Sequence, residues 1–192
     1  DAVRRASGDK NLRIIHRANF VAFVSTEESQ AETAAIYAEA NAKWSSLRDY
    51  RGCEQEGAWL VGQPAELRKF GTPVANVEGA ADIVTATYTR PYIAHASMGP
   101  SAAIARYNGE TMMIWSHGQG MHPLRRNIAE MLALDPEKVI CCHRHGPGCY
   151  GHNGADDAAA DAAIVALALP DETIRLQWRR EEEFAYEPVS PA

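Results

Sequence analysis

Short runs of β-branched and aromatic residues alternate along the chain with stretches of helical periodicity. Runs at 12–15 and 20–24 predict two strands, and small or apolar residues then recur at helical spacing from 31 to 42. Ser25 and Glu28 have the spacing of a capping box, which predicts the start of this helix, and Trp44 predicts its end. Residues 51–73 lack periodicity and contain glycine and proline, so they predict a connecting segment.

A second group of elements begins near residue 82. A β-branched run predicts a strand that ends before Pro91. Asn108-Gly109 lies between two apolar runs and predicts a hairpin, because this dipeptide supplies the positive φ angles of a tight turn. The predicted strands are 83–88, 102–107, 111–115, 138–143 and 174–178, and the predicted helices are 123–134 and 155–169. The apolar face of the predicted helix at 123–134 is expected to consist of Leu124, Ile128, Met131 and Leu132.

Composition narrows the functional classes. The chain has 192 residues, of which 46% are hydrophobic and 23% charged, enough for one domain or two small ones. Its net charge of −6, with no basic stripe, argues against nucleic-acid binding. The longest apolar stretch, 158–169, is too short to span a bilayer and contains Asp161. Because Asp1 is not an initiator and no signal segment follows it, we expect a processed or excised piece of a longer protein.

A cluster of cysteine and histidine begins at residue 141 and reads CCHRHGPGCYGHN. One hypothesis is a zinc site in which Cys141 or Cys142 binds the metal with His145 and His152. The spacing lacks the usual paired ligands, and adjacent residues on a strand point to opposite faces. A nucleophilic cysteine on a Gly-x-Cys-x-Gly turn is a second hypothesis, but Pro147 occupies the position of the first glycine.

A cofactor cradle is the third hypothesis for this cluster. Gly146, Gly148 and Gly151 lie between a predicted strand and a predicted helix. Such a turn presents backbone N–H groups to an anion and lets a ligand approach the main chain closely. An ordinary tight turn is the alternative.

Two further segments could bind a ligand. Residues 116–123, SHGQGMHP, join a predicted strand to a predicted helix, and Gln119 offers an amide donor between two glycines. The alternative is a loop that only caps the helix. Residues 95–100, HASMGP, contain His95, for which a structural role is the alternative to a catalytic one.

Taken in order, these segments resemble the molybdenum-binding large subunits of the xanthine dehydrogenase and aldehyde oxidase family. The form of the glycine-rich loop is most similar to the branch that contains isoquinoline 1-oxidoreductase and nicotinate dehydrogenase. The matching segments are TYTRPYIAHASMGP at 87–100, WSHGQ at 115–119, RRNIAEML at 125–132, GPGCYGHNGADD at 146–157 and RREEEF at 179–184.

The resemblance implies an α+β fold. Residues 1–50 would be the back half of an α/β-hammerhead-like domain, and residues 51–81 would connect it to the next domain. Residues 82–192 would be the N-terminal part of a mixed α/β molybdopterin-binding domain.

The function implied by the resemblance is that of a molybdenum hydroxylase. Such an enzyme hydroxylates an N-heteroaromatic ring or oxidises an aldehyde, using oxygen derived from water. The implied cofactor is molybdenum-molybdopterin in its cytosine dinucleotide form. The implied partners are the remainder of the large subunit, an iron–sulfur electron-transfer subunit and a small-molecule substrate. Related enzymes occur in the cytoplasm and facing the periplasm, so the sequence assigns no compartment.

The resemblance also assigns cofactor-binding residues. Gln119 would donate a hydrogen bond to an oxygen ligand of the molybdenum, and the other residues would approach the cofactor through their backbone. The full set is Gly118, Gln119, Gly148, Cys149, Tyr150 and Gly151.

The chain departs from the family pattern at several positions. Gly99 and Asn153 replace acidic residues of the xanthine type, and Cys149 and Tyr150 replace a Phe-Gly pair. No segment matches the catalytic glutamate of the family, so the chain contains no predicted catalytic residue and we expect it to be inactive in isolation. The alternatives are a cofactor-free structural or interaction fragment and a zinc-binding module.

Overall fold

The computed structural model describes residues 1–43, 45, 57–66, 68, 70, 71, 84, 86, 88, 93–148, 150, 151 and 157–187. The chain divides into two compact units. The first unit comprises Asp1–Ser46 and His95–Pro188, and the second comprises Leu47–Ala94 and Val189–Ala192. The domain boundaries and the hammerhead-like architecture inferred from the sequence stay predictions.

A four-stranded mixed sheet forms the centre of the first unit. Its strands are β3 (Ala102–Tyr107), β4 (Met112–Ser116), β5 (Val139–His143) and β6 (Thr173–Gln177), which confirms the four strands predicted from residue 102 onward. The strand order is β5-β4-β3-β6, with β4 parallel to β5 and β3 antiparallel to both β4 and β6. Strands β4, β5 and β6 therefore run in the same direction, and their carboxyl ends lie at the edge where β3 begins.

The β3–β4 connection confirms the predicted hairpin but uses its turn residues differently. Gly109 has a φ of 90°, whereas Asn108 is not among the residues with positive φ. Asn108 contributes its side chain instead, because its Oδ1 accepts hydrogen bonds from the backbone N–H groups of Thr111 (2.6 Å) and Glu110 (3.0 Å). The asparagine thus acts through an Asx-type turn.

Replacing Asn108 by alanine should lower the free energy of unfolding by about 1 kcal/mol, because the two N–H groups lose their shared acceptor. Chemical denaturation of the protein carrying the change would measure this loss. Asn11→Ala is the matched control, since Asn11 is exposed and engages Asp9 through its backbone N–H. Equal stability of the two variants would contradict the assigned role of the Asn108 side chain.

Two helices cover one face of the sheet. They are α4 (Met121–Leu132) and α5 (Asp157–Ala168), close to the predicted helices. In α5 the small side chains permit close packing on the sheet; the fully buried ones are Ala159, Ala162, Ala163 and Ala166. The prediction for Met131 was wrong, because this side chain is 45% exposed while Ala129 is buried. Including Ala129 rotates the centre of the buried stripe away from Met131.

The N-terminal part of the first unit pairs a hairpin with two helices. It consists of α1 (Ala2–Ser7), β1 (Arg13–Arg17), β2 (Phe20–Val24) and α2 (Glu28–Asn41), with β1 antiparallel to β2. Both strands were predicted, and α2 packs on α1 and β2 with Ala34 fully buried. The predicted end of α2 at Trp44 lies outside the described residues.

The predicted capping box at the start of α2 was wrong. The N-cap residue is Glu27, and no side chain caps the helix. Ser25 lies too far before the helix and instead donates a hydrogen bond to Asp9 Oδ2 (2.6 Å). This hydrogen bond lowers the pKa of Asp9 below its ordinary value. The hydroxyl therefore joins two loops instead of capping a helix.

Besides α1, two short α-helices were not predicted. One is α3 (Gly57–Val61), which belongs to the second unit and lies within the predicted connecting segment. The other is α6 (Arg180–Tyr186), which follows β6 and begins with the Arg179 N–H donating to Glu182 Oε2 (2.7 Å). Of the predicted strand at 83–88, residues 83, 85 and 87 lie outside the described residues, and residues 84, 86 and 88 do not belong to a strand. None of the helices that the structure describes is long and apolar enough to cross a bilayer.

Candidate functional site

Four segments of the chain, one of which contains helix α6, meet at the edge of the sheet that holds the carboxyl ends of β4, β5 and β6. We call this the carboxyl edge. The parallel pairing of β4 and β5 continues past the strands, because the Arg144 N–H donates to the Ser116 carbonyl oxygen (2.7 Å). The crevice outside the carboxyl ends of parallel strands is the usual ligand position in α/β sheets. The four segments are 95–101, 117–120, 144–151 and 178–187.

The segment after β4 is held by two hydrogen bonds. Ser116 Oγ accepts from the Gly118 N–H (3.2 Å), and His117 Nε2 accepts from the Ala102 N–H at the start of β3 (3.2 Å). Ser116, His117 and Gly118 are buried, whereas Gln119 is exposed. The fixed turn therefore presents the Gln119 carboxamide at the carboxyl edge.

The glycine-rich segment 146–151 contacts both other sequence-predicted segments. A Cβ atom added at Gly146 would lie 2.4 Å from His117 Cβ, and one added at Gly151 would lie 2.5 Å from His95 Nε2. A Cβ at Gly99 would lie 3.1 Å from Pro147 Cβ. The structure thus brings together three segments that are well separated in sequence.

These contacts change the reason why glycine is needed here. The sequence predicted that glycines leave room for a ligand, but at Gly146 and Gly151 the neighbouring histidine rings occupy that room. Gly148 and Gly151 also have φ angles of 98° and 110°, which disfavour any side chain. The ring of Tyr150 covers Gly148 and is itself more than half exposed. Internal packing and backbone conformation therefore explain why glycine occupies these positions. Cys149, another predicted site residue, lies outside the described residues.

Helix α6 supplies a buried carboxylate that holds the segment before β3. Glu183 is fully buried, and its Oε2 accepts from the Ser101 N–H (2.7 Å) while its Oε1 accepts from the hydroxyls of Ser97 and Ser101 (3.2 Å each). From the same helix, Arg180 donates to the carbonyl oxygens of Ser97 (2.7 Å) and Met98 (3.0 Å). The segment 95–101 is therefore fixed by charged side chains of α6.

The sequence had not assigned a role to the carboxylates at this end of the chain. Glu183 lies in the matched motif at 179–184, but Glu187 lies outside it. Both residues are buried; Glu183 lies in α6, and Glu187, four residues later, follows the last residue of the helix and donates its N–H to the Glu183 carbonyl oxygen (2.9 Å). Their spacing of four residues was the sequence signal that could have indicated a shared role, but charged residues on or beside a short helix ordinarily face solvent.

Helix α2 is tied to the start of α6 by an ion pair. Arg179 Nη2 donates to Glu39 Oε2 (2.8 Å), and the same guanidinium lies 3.3 Å from Glu182 Oε1. The hydrogen bond with Glu39, together with that with Glu182, raises the pKa of Arg179 above its ordinary value. The N-terminal part of the unit thus helps to orient α6.

The cysteines of β5 do not form a metal site with other described residues. Cys141 pairs in register with buried Ile114 and Cys142 with Trp115, so the two thiols lie on opposite faces of the sheet, as predicted. In the part of the chain that the structure describes, no three His, Cys, Asp or Glu side chains could hold a metal ion. His152 of the zinc hypothesis lies outside that part.

A mixed sheet with several loops gathered at one carboxyl edge is the arrangement in which α/β domains usually bind ligands. Residues 61–191 match the sequence model of the molybdopterin cofactor-binding domain. The chain belongs to this family. Its resemblance to the molybdenum-binding large subunits of the xanthine dehydrogenase and aldehyde oxidase family is thereby confirmed.

Two curated relatives are similar over most of the chain. A nicotinate dehydrogenase subunit of Pseudomonas putida is 31% identical over 91% of this chain and 15% of its own length. The aldehyde oxidoreductase molybdenum-binding subunit PaoC of Escherichia coli O157:H7 is 29% identical over 85% of this chain and 23% of its own length. This chain therefore spans less than a quarter of either relative.

A solved structure shares the fold. Quinoline 2-oxidoreductase from Pseudomonas putida 86 aligns with a TM-score of 0.65 at 17% identity, over 90% of this chain and 24% of the other. At this identity the comparison supports the mixed α/β fold alone, which confirms that part of the prediction.

Proposed function

We propose that this chain is part of the catalytic large subunit of a molybdenum hydroxylase that acts on an N-heteroaromatic ring or an aldehyde. The observation that carries the proposal is the meeting of segments 95–99, 117–119 and 146–151 at the carboxyl edge. The names of the two curated relatives, a nicotinate dehydrogenase subunit and an aldehyde oxidoreductase subunit, support the two substrate classes.

The described residues fit an anionic, oxygen-rich cofactor. The exposed carboxamide of Gln119 can donate hydrogen bonds, and α4 begins two residues later at an N-terminus that has no side-chain cap and no acidic residue in its first turn. Uncapped N–H groups and the helix dipole favour a negatively charged group. Hydrogen-bond donors and a positive potential therefore lie beside Gln119, which supports the proposed cofactor site.

We assign the cofactor-binding role to the six residues that the resemblance selects. When bound, molybdenum-molybdopterin in its cytosine dinucleotide form supplies the oxygen transfer and accepts two electrons. Gln119 orients the cofactor by hydrogen bonding, and the rigid turn at Gly118 keeps the Gln119 carboxamide in place. Gly148, Cys149, Tyr150 and Gly151 would approach the cofactor through their backbone, as the resemblance implies.

The activity requires parts that this chain does not supply. No residue here matches the catalytic glutamate of the family, and an iron–sulfur subunit is proposed to remove the electrons. We propose that the isolated chain is inactive and that it works with the remainder of the large subunit.

Metal content and native mass of the untagged protein, isolated from its natural host, test this function. We expect about one molybdenum per copy of this chain in an assembly much larger than the chain itself, together with iron. Acid hydrolysis should release CMP if the cofactor is the cytosine dinucleotide. A metal-free species of the mass of this chain would contradict the proposal, and stoichiometric zinc would favour the zinc-binding module.

A further inference from the structure

We infer that Glu187 and His95 form a brace that positions Gly151, and with it the glycine-rich segment, at the carboxyl edge. The imidazole of His95 lies directly against Gly151, since an added Cβ would lie 2.5 Å from Nε2 and 2.7 Å from Cδ2. The glycine-rich segment therefore ends on a histidine ring that belongs to a different loop. That the brace serves a cofactor rests on the proposed function; that it positions the segment does not.

Within this brace, Glu187 fixes the backbone of His95. The side chain of Glu187 is fully buried, and its Oε2 accepts a hydrogen bond from the His95 backbone N–H (3.1 Å). The same oxygen lies 3.7 Å from His95 Nδ1. One carboxylate oxygen thus fixes the backbone of the residue that contacts Gly151 and lies near its ring without a hydrogen bond to it.

The carboxylate is incompletely satisfied. Among the described residues, Glu187 Oε1 and His95 Nδ1 are buried without a hydrogen-bond partner. Burying a carboxylate is costly unless it is fully paired, so an apolar residue at 187 would serve the core better. A positioning role explains why an acidic side chain lies at position 187. Its oxygen accepts a hydrogen bond from the His95 N–H, which an apolar side chain could not do.

Helix α6 contains an internal comparison for this role. Glu183 lies one turn earlier, is equally buried, and holds Ser97 and Ser101 with a full set of hydrogen bonds. It therefore fixes the segment 95–101 as a whole, whereas Glu187 acts on the single residue that contacts the glycine-rich segment. Glu183 therefore has a general structural role, and Glu187 has a positioning role.

Amide hydrogen exchange of the complete enzyme, prepared without cofactor, tests the brace. In His95→Ala and Glu187→Ala we expect exchange in residues 144–151 to become about tenfold faster, while exchange in β4 stays unchanged. Glu187→Gln keeps an acceptor for the His95 N–H and should restore part of the protection. Glu183→Gln is the control for general destabilisation. Unchanged exchange at 144–151, or a uniform increase like that of the control, would overturn the inference.

A double-mutant cycle gives a second, independent measurement. Gly151→Ala should destabilise the enzyme more when His95 is present than in the His95→Ala background, because the added methyl group then meets no ring. Strictly additive effects would overturn the contact. Molybdenum content of the same variants separates the two proposals: faster local exchange with full molybdenum would keep the brace and contradict the cofactor role of the segment.

Discussion

A methyl group added at Gly146 should lower the free energy of unfolding by about 1–3 kcal/mol and remove most of the molybdenum from the assembled enzyme. The new Cβ would lie 2.4 Å from His117 Cβ and 2.6 Å from its Cγ. These atoms adjoin the backbone and cannot swing aside, and the ring is held by the Ala102 N–H. Either the end of β4 or the glycine-rich segment must move. Thermal unfolding and metal analysis of the variant would measure both effects.

Two other glycines provide controls for this prediction. Gly120 lies near the same edge with a φ of −105°, and its added Cβ would come no closer than 3.7 Å to Pro123. Gly120→Ala should therefore have little effect. Gly148→Ala would meet the exposed ring of Tyr150, which can move, so its cost should arise mainly from the φ of 98°. If Gly146→Ala matched Gly120→Ala in stability and molybdenum content, the His117 contact would not organise the site.

The strands and main helices were predictable because their signals are local. The hairpin of β3 and β4 follows from two apolar runs around Asn108-Gly109, and α5 follows from a long apolar and alanine-rich stretch. The wrong capping box at Ser25, in contrast, has a cause that is distant in sequence. Ser25 has the right spacing for a cap but lies outside the helix, because Asp9 offers its hydroxyl an acceptor from another loop.

The candidate site was predictable only in part. Each segment was found from its sequence, and the family resemblance placed them in one domain. Their contacts depend on the antiparallel placement of β3, which brings the segment before this strand to the edge where β4 and β5 end. No local pattern predicts that Gly151 meets His95, or that Glu183 in a short acidic helix and Glu187 just after it are buried.

Replacing Gln119 by alanine should lower turnover of the complete enzyme by about a hundredfold without lowering its stability. The side chain is exposed at the tip of a rigid turn, so its removal leaves no cavity in the core. Removing one preorganised hydrogen-bond donor at a reaction centre typically costs a factor of this size. The measurement is kcat per bound molybdenum, with unfolding followed in parallel.

The control for Gln119 is Gln30→Ala, which removes a glutamine from the first turn of α2, away from the carboxyl edge. This variant should keep its turnover. The comparison separates two ways in which the site could work. If Gln119→Ala loses turnover and molybdenum together, the carboxamide retains the cofactor. If it loses turnover at full molybdenum content, the carboxamide orients the bound cofactor, as proposed. Wild-type turnover at full molybdenum content would contradict the assignment, and the remaining support for the site would be the glycine-rich segment alone.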